Sequence, residues 1–578
     1  MKRMSQYVPA MGVLALCFFN PWGFAALPDV GLILIGLLAT TALVIAVRGG
    51  SLVVDKTMVF LGVAITTALI VSLLSNAPFL SIFGGLTRSS GVLSMAVWFI
   101  ALLAGLQFNG DVTQRERQLL ALGRASAFFA LLVVLGRLGI AVVPFPESTR
   151  ATGPLGSSAF SGAVLSFAMP IGIVRLFCHE IRLRYEAIFS LMLTTAALAA
   201  TGARASWLGA VVGGLFALVI MLRKNDVDNV SLVGLRQIVL GLVAVLVIGT
   251  SAIFAFDTSS RVTAVAENDG TAAGRFVLWE TGLRAIAQDP LIGVGFDQQE
   301  SALAEKLPSD FEQRFGDSVI PDRAHNWLID MWLGGGIFTV LAMAIAIVIA
   351  LRRCDRDPLG QAIQFGVIGY LVQAQFNFSL PGVEAAVWLL LGVAISPNSR
   401  RVKLAIQPVI PTAILGALLT VPFVLNVVAD TQLERGRVSE LDGDIAQAQN
   451  LYESASSLAS WQPAFEEVIS RFGIRNGDGV LARASAAEAA SRSGNQLRWR
   501  ELQGEALLAS GEFADARDWF QSLIDESPFD SSLFVGLGQA QIGLADTGGA
   551  LVAFNTALQI NPDSELAQAG LEQVTDNK

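Results

Sequence analysis

The sequence predicts an all-α protein: a polytopic bundle of about 13 transmembrane helices followed by a soluble α-solenoid. Three observations predict it. The chain is 53% hydrophobic and only 15% charged, with a mean hydropathy of +0.58, too apolar for a soluble multidomain protein. Its apolar residues fall into blocks of the ~20 residues that a helix needs to cross a bilayer. From Asp430 onward the composition turns soluble and helix-favouring, rich in Ala, Glu, Gln and Ser. Residues 1–428 are therefore read as a membrane domain and 429–578 as a soluble module.

Apolar blocks bounded by charge or turn residues lie near 9–27, 31–47, 57–75, 91–107, 119–143, 160–177, 186–202, 206–222, 236–256, 327–351, 361–380, 383–396 and 407–428. The first imitates a secretory signal, and "LALC" hints at lipoprotein cleavage. Leu16, however, stands before Cys17 where a small residue is wanted, so the block is read as the first membrane helix. Every second connection is basic: Lys2/Arg3, Arg48/Lys56, Arg115/Arg117, Arg182/Arg184, Arg223/Lys224, Arg352/Arg353/Arg356 and Arg400/Arg401/Lys403. The positive-inside rule makes these cytoplasmic. The segment 257–326 and everything after Val428 are then expected outside, the odd span count carrying the C-terminal module across.

Cys17, Cys178 and Cys354 lie far apart without metal-ligand spacing, and neither a disulfide, a metal site nor a cofactor is expected. The net charge of −9 comes largely from the C-terminal module and argues against a nucleic-acid partner.

A period of 34 residues runs through that module, relating Gly504 to Gly538, Ala516 to Ala550, Phe520 to Phe554 and Pro528 to Pro562. The phase extends back to Gly436, Ala448, Tyr452 and Ala455, and faintly to Ala482, Ala486 and Ala489. This resembles the tetratricopeptide repeat, in which small and aromatic positions pack paired helices. Such arrays commonly bind another protein, so a protein partner is expected.

The outward loops are poor in basic residues, yet most of the sizeable ones hold an isolated arginine: Arg88 in "FGGLTRSSG", Arg150 in "ESTRATGPLGSS", Arg204 in "TGARASWLG" and Arg275 in "GRFVLWETGLRAIAQDPLIGVGF". The planar guanidinium fork suits phosphate oxygens, whereas a bland reading has each arginine snorkelling to headgroups. Arg204 favours function, because a charge between two closely apposed spans is costly without a polar cavity or partner. Arg137, near the outer end of the fifth span, fits snorkelling or helix packing. In the long segment, Phe276, Trp279, Leu283 and Ile286 recur at helical spacing, "DP" at 289–290 ends the helix, and the glycines of "IGVGF" turn the chain back.

His325 in "PDRAHNWLIDMWLGGG" is one of two histidines and the only one expected outside, His179 lying in a cytoplasmic loop. A neutral imidazole accepts a hydroxyl proton near pH 7. One histidine among arginines is a poor metal site and a workable phosphate-and-base site.

These blocks, in order, resemble the O-antigen ligase and polymerase superfamily over residues 190–345: bacterial polytopic glycosyltransferases with a large periplasmic loop. The resemblance implies that Arg204 and Arg275 bind the diphosphate of an undecaprenyl-linked glycan, with Arg88 and Arg150 accessory. It implies that His325 activates or positions the acceptor. The family usually carries Ser where this chain has Ala203. The implied reaction is a metal-independent, inverting glycosyl transfer at the outer face of the bacterial inner membrane. The acceptor is lipid A core, a growing polysaccharide or, alternatively, a protein hydroxyl. Two other classes stand beside it: a lipid or polysaccharide transporter, which intramembrane acids would favour, and an envelope scaffold. Asp330 and Glu384 are the main acids within the spans.

Overall fold

The computed structural model describes residues 6–23, 27–108, 110–140, 150–178, 181–224, 270–315 and 321–576. Lys2, Arg3, His179, the expected ninth span at 236–256 and part of the long segment lie outside the described residues.

The chain is a nearly all-helical multi-pass membrane protein. Eight described helices are long and apolar enough to cross a membrane by length and composition. They are α2 (Leu27–Arg48), α3 (Thr57–Leu74), α6 (Val112–Arg137), α7 (Ser158–Leu176), α8 (Ile181–Thr201), α9 (Arg204–Lys224), α13 (Trp327–Arg353) and α16 (Val409–Leu441). Shorter apolar helices occupy the remaining expected spans within the described residues: α1 (Val8–Ala15), α5 (Val92–Leu106), α14 (Pro358–Ala374) and α15 (Pro381–Ile395). A further short helix, α4 (Pro78–Phe83), follows α3. Every residue of α15 is buried, so it is a central post enclosed by its neighbours. It crosses α5 closely because Gly105 and Gly392 meet there: a Cβ on Gly392 would stand 2.3 Å from the Leu102 carbonyl oxygen.

The basic loops gather at one end of the bundle. β1 (Ser51–Val54) pairs antiparallel with β2 (Arg400–Lys403). Arg115 forks onto Asp357, with Nη2 2.9 Å from Oδ1, and Arg353 Nε lies 2.5 Å from Asp55. Asp111 and Asp357 cap α6 and α14 by accepting backbone N–H bonds. Connections that sequence parity assigns to one side thus contact one another.

α13 is broken inside "GGG", where Gly336 adopts φ 72°. The break releases carbonyls, and the returning long segment fills them: Val294 N donates to Leu333 O at 2.7 Å and Gly295 N to Gly334 O at 3.1 Å. A Cβ on Gly336 would stand 2.4 Å from the Leu291 carbonyl, so the break and the docked loop require each other.

Beyond the membrane body, α16 continues unbroken to Leu441 and pairs with α17 (Ile445–Leu458). Then follow α18 (Pro463–Asn476), α19 (Gly479–Arg492), α20 (Leu497–Ala509), α21 (Phe513–Glu526), α22 (Ser531–Gly543), α23 (Thr547–Ile560) and α24 (Glu565–Asp576), which stack as a solenoid of helix pairs. The 34-residue period has a packing cause. Gly436 faces the Tyr452 ring, Gly504 the Phe520 ring and Gly538 the Phe554 ring, each glycine making room for an aromatic on the partner helix. In the second pair the same positions hold Ser470 and Ala486, both fully buried: ring and glycine are lost together.

Candidate active site

Four connections and two helix ends converge at the end of the bundle opposite the basic loops. α13 begins at Asn326, whose side chain caps it by accepting from Leu328 N at 3.0 Å and Ile329 N at 3.1 Å, and whose Nδ2 donates to Gln375 O. His325, immediately before, takes φ 53°, a conformation costly for a side chain of this kind. The turn is over-determined from below: Asp330 Oδ1 accepts Ala324 N–H at 2.7 Å, and buried Arg323 bonds Gln299 and ion-pairs with Asp297. Asp330 therefore has a structural task, and so has Glu384, which accepts from Tyr370 OH at 2.9 Å and Ser379 OH at 2.6 Å.

Phe378, in the α14–α15 connection, is the hub. The His325 ring packs edge-on against it at 5.3 Å, the Arg88 guanidinium stacks over it at 4.0 Å, and Phe160 of α7 meets it at 5.6 Å. Arg88 also pairs with Asp322, Nε and Nη2 each lying 2.9 Å from Oδ2. Arg150 approaches Ser158 at 3.5 Å, just before Phe160, and Ala151 N donates to Ala200 O at the end of α8. Arg204 opens α9 directly after this point, and Ser206 abuts Gly162 of α7.

Arg275 lies on α10 (Gly270–Gln288), as the helical spacing predicts. One turn on, Trp279 rests against Phe376 at 5.6 Å, and its Nε1 is 3.4 Å from His325 O. The face that packs differs from the expected one. Leu278, Thr281 and Ile286 are buried, whereas Phe276 and Leu283 are 61% and 52% exposed, because α13 meets the helix along its 278–282–286 side.

His325 thus sits among Arg88, Arg275, Arg323 and Asp322. Burial pushes its imidazole down from 6.5 to about 4; Asp322 opposes the shift, and Arg275, Arg88 and Arg323 reinforce it. Its ring nitrogens hydrogen-bond to no described residue. Beside Arg88 and Phe378 opens a narrow apolar pocket, about 30 Å³ in volume, lined by Leu16, Phe18, Leu155, Phe160, Leu380 and Val383. The described residues hold no group of three or more His, Cys, Asp or Glu disposed to ligate a metal.

Sequence reasoning missed Phe378, Asp297, Asp322 and Arg323. The last two lie within "PDRAHN" itself, and their charge beside the histidine was the available signal. Asp297 joins three elements: Oδ2 accepts Gly85 N–H at 2.6 Å, its carboxylate pairs with Arg323, and its carbonyl accepts Gln496 Nε2 at 3.1 Å. Gln496 belongs to the repeat module, which clamps the site from above. Gln462 Nε2 donates to Gly84 O at 2.9 Å, Trp461 packs on Phe83 at 4.8 Å, and Leu86 enters a cluster with Ala429, Ala455 and Phe465.

Fold and site together define a polytopic membrane protein with a histidine–arginine site under a helical-repeat cap. Residues 189–344, which include Arg204, Arg275 and His325, match the family described as O-antigen ligase. The resemblance read from the sequence is thereby borne out over this segment. The exopolysaccharide production protein ExoQ of Rhizobium meliloti (strain 1021) is 27% identical over 224 residues, covering 34% of this chain and 51% of its own. Superkiller protein 3 of Saccharomyces cerevisiae is 32% identical over 127 residues, covering 22% of this chain and 8% of its own. The chain thus spans at most about half the length of these relatives. Among solved structures, YrrB, a tetratricopeptide protein with an unusual peptide-binding site, covers 28% of this chain and 87% of its own at 16% identity and a TM-score of 0.22.

Proposed function

We propose that the protein is a ligase- or polymerase-type glycosyltransferase. It moves a glycan from undecaprenyl diphosphate to an acceptor hydroxyl, on lipid A core or a growing polysaccharide, at the periplasmic face of the inner membrane. The observation that carries the reading is a half-buried, neutral histidine ringed by arginines, beside an apolar pocket, within the segment that resembles the O-antigen ligases.

In this reading Arg204 and Arg275 hold the donor diphosphate and stabilise the charge that builds on it as the glycosidic bond breaks. Arg88 and Arg150 are accessory contacts. His325, kept neutral by burial, takes the acceptor proton as that oxygen attacks the anomeric carbon in a single, inverting, metal-independent displacement. The polyprenyl chain approaches along the narrow apolar crevice lined by Phe160 and Phe378, which opens to admit it. Residues 1–428 form the catalytic body, and the periplasmic module from residue 429 recruits a protein partner. The likeness to ExoQ favours a growing polysaccharide as acceptor. A transporter loses support, since both carboxyl oxygens of Glu384 and one of Asp330 are held by structural hydrogen bonds.

Deleting the gene tests the reading. Accumulated lipid-linked single repeat units indicate a polymerase, and accumulated lipid-linked polymer indicates a ligase. Unchanged surface glycan with no accumulated lipid-linked sugar overturns both.

A further inference from the structure

A second cavity, of about 450 Å³, lies between the long segment and the repeat module, within the ~300–1,000 Å³ typical of ligand sites. Its floor is α11 (Gln299–Ala304) and α12 (Phe311–Phe315), and its roof is α20 with the α21–α22 turn. Its lining is chemically mixed. Glu300, Glu501 and Arg498 line it, Arg498 acting on Glu300, while Phe529 offers a flat apolar ring that is 52% exposed and Phe311 is buried in the floor. Glu300 hydrogen-bonds to no described residue, although it reaches into an enclosed space. Pro321 closes one side; the next residue, Asp322, pairs with Arg88, and His325 follows three residues later. The cavity therefore adjoins the candidate active site.

We infer that this cavity is a binding site for the acceptor glycan, holding a few sugar units of an uncharged oligosaccharide behind the hydroxyl that reacts. The inference rests on the transferase reading. Its chemistry comes from the lining. Carboxyl groups pair with neighbouring sugar hydroxyls, and the exposed Phe529 ring covers the apolar face of a pyranose. Burial raises Glu300 to about 7 and Glu501 to about 8, so near neutral pH each is partly protonated and both donates and accepts, as a sugar hydroxyl does. The excess of acids repels a diphosphate, which keeps the donor's charged group at the arginines. A basic peptide is the rival occupant, but it gains little from half-neutralised carboxyls and one exposed ring.

The test uses the full chain in lipid nanodiscs. Oligosaccharides of two to eight sugars, cut from the cell's own surface polysaccharide and free of lipid, are titrated by calorimetry beside a decalysine peptide. The oligosaccharides should bind saturably. Phe529→Ala and Glu501→Ala should each weaken that binding about tenfold, and should raise the acceptor KM by a like factor with kcat within about twofold. Glu300→Ala carries the same test should either variant fail to fold. Decalysine binding without oligosaccharide binding overturns the inference, as do variants with unchanged affinity and KM. His325→Ala separates the two claims: it should abolish transfer and keep oligosaccharide binding. If it keeps transfer, the transferase reading fails whatever the cavity binds.

Discussion

The rim of the membrane body and the repeat module touch the same loops but are built differently. In the module each structural contact returns after 34 residues, as when Gly436, Gly504 and Gly538 face Tyr452, Phe520 and Phe554. At the rim nothing repeats: Asp297 alone joins Gly85, Arg323 and Gln496, and Phe378 alone joins Arg88, His325 and Phe160. Where the two regions meet, the period gives way. The later units' Pro528 and Pro562 correspond to Gly494, which lies against the backbone of Asn76, too close for a Cβ. Redundant contacts supply stability, whereas single contacts supply position. Substitutions at the rim and at the module's contacts with it should therefore appear in activity, and substitutions at the module's repeated positions in stability.

The largest effect is expected at His325. His325→Ala should lower transfer by about 10²–10⁴-fold, the usual worth of a positioned base, with unchanged membrane insertion and melting. Arg275→Ala should cost about 10²–10³-fold, as for loss of one group that stabilises transition-state charge. Membranes charged with lipid-linked donor and assayed by gel shift of the glycan would measure both. Wild-type rates in either variant would mean that the convergence at Phe378 serves packing alone.

The clamp comes next. Trp461→Ala combined with Gln462→Ala removes the module's hold on Phe83 and Gly84, loosening the loop that carries Arg88. A loss of about 10- to 100-fold in transfer is expected, the scale of a misplacement near 1 Å, while the membrane helices keep their hydrogen-exchange protection. Full activity in this variant would make the module dispensable for positioning and erase the contrast between the regions.

The pH profile sharpens the same point with a smaller change. Folded His325 is neutral above about 4 and charged below it. The kcat/KM for transfer should therefore be flat from about pH 8 to pH 5 and fall through about pH 4, at most tenfold per unit. Because the unfolded histidine titrates near 6.5, it binds its proton first as pH falls. The stability contributed by this site is thus full above 6.5 and is lost progressively towards 4. An inflection in kcat/KM near 6.5 would instead describe a solvated ring.

These expectations also mark what the sequence made legible. Hydropathy found the spans because each helix must satisfy its backbone internally and present apolar side chains to lipid. The three glycines at 334–336 mark in the sequence the place where α13 breaks, and the period announced the solenoid. The five residues His325, Arg88, Arg150, Arg204 and Arg275 could be picked out because polar groups at a membrane boundary stand out against an apolar background. Phe378 could not, since one phenylalanine among 34 carries no mark of its neighbours. Asp297 and the glutamines above it were hidden for a similar reason: contacts spanning about 200 residues, such as Gln496 to Asp297, leave no local spacing to read.

The smallest effect tests the module's side of the comparison by a change of sign. A Cβ on Gly504 would stand 2.5 Å from Phe520 Cζ, so Gly504→Ala overpacks α20 against α21 and should cost about 1–3 kcal/mol. Remove the ring first, with Phe520→Ala, and the obstacle is gone. In that background Gly504→Ala should be neutral or stabilising by up to ~1 kcal/mol, the helix-propensity gain of alanine over glycine. The native second unit already lives with that solution, pairing Ser470 with Ala486. Hydrogen exchange of the α20 and α21 amides in the full-length chain would measure all four members of the cycle. If Gly504→Ala costs the same with and without the ring, the glycine answers to some other constraint, and the packing account of the 34-residue period fails in one of the two units that match it most fully.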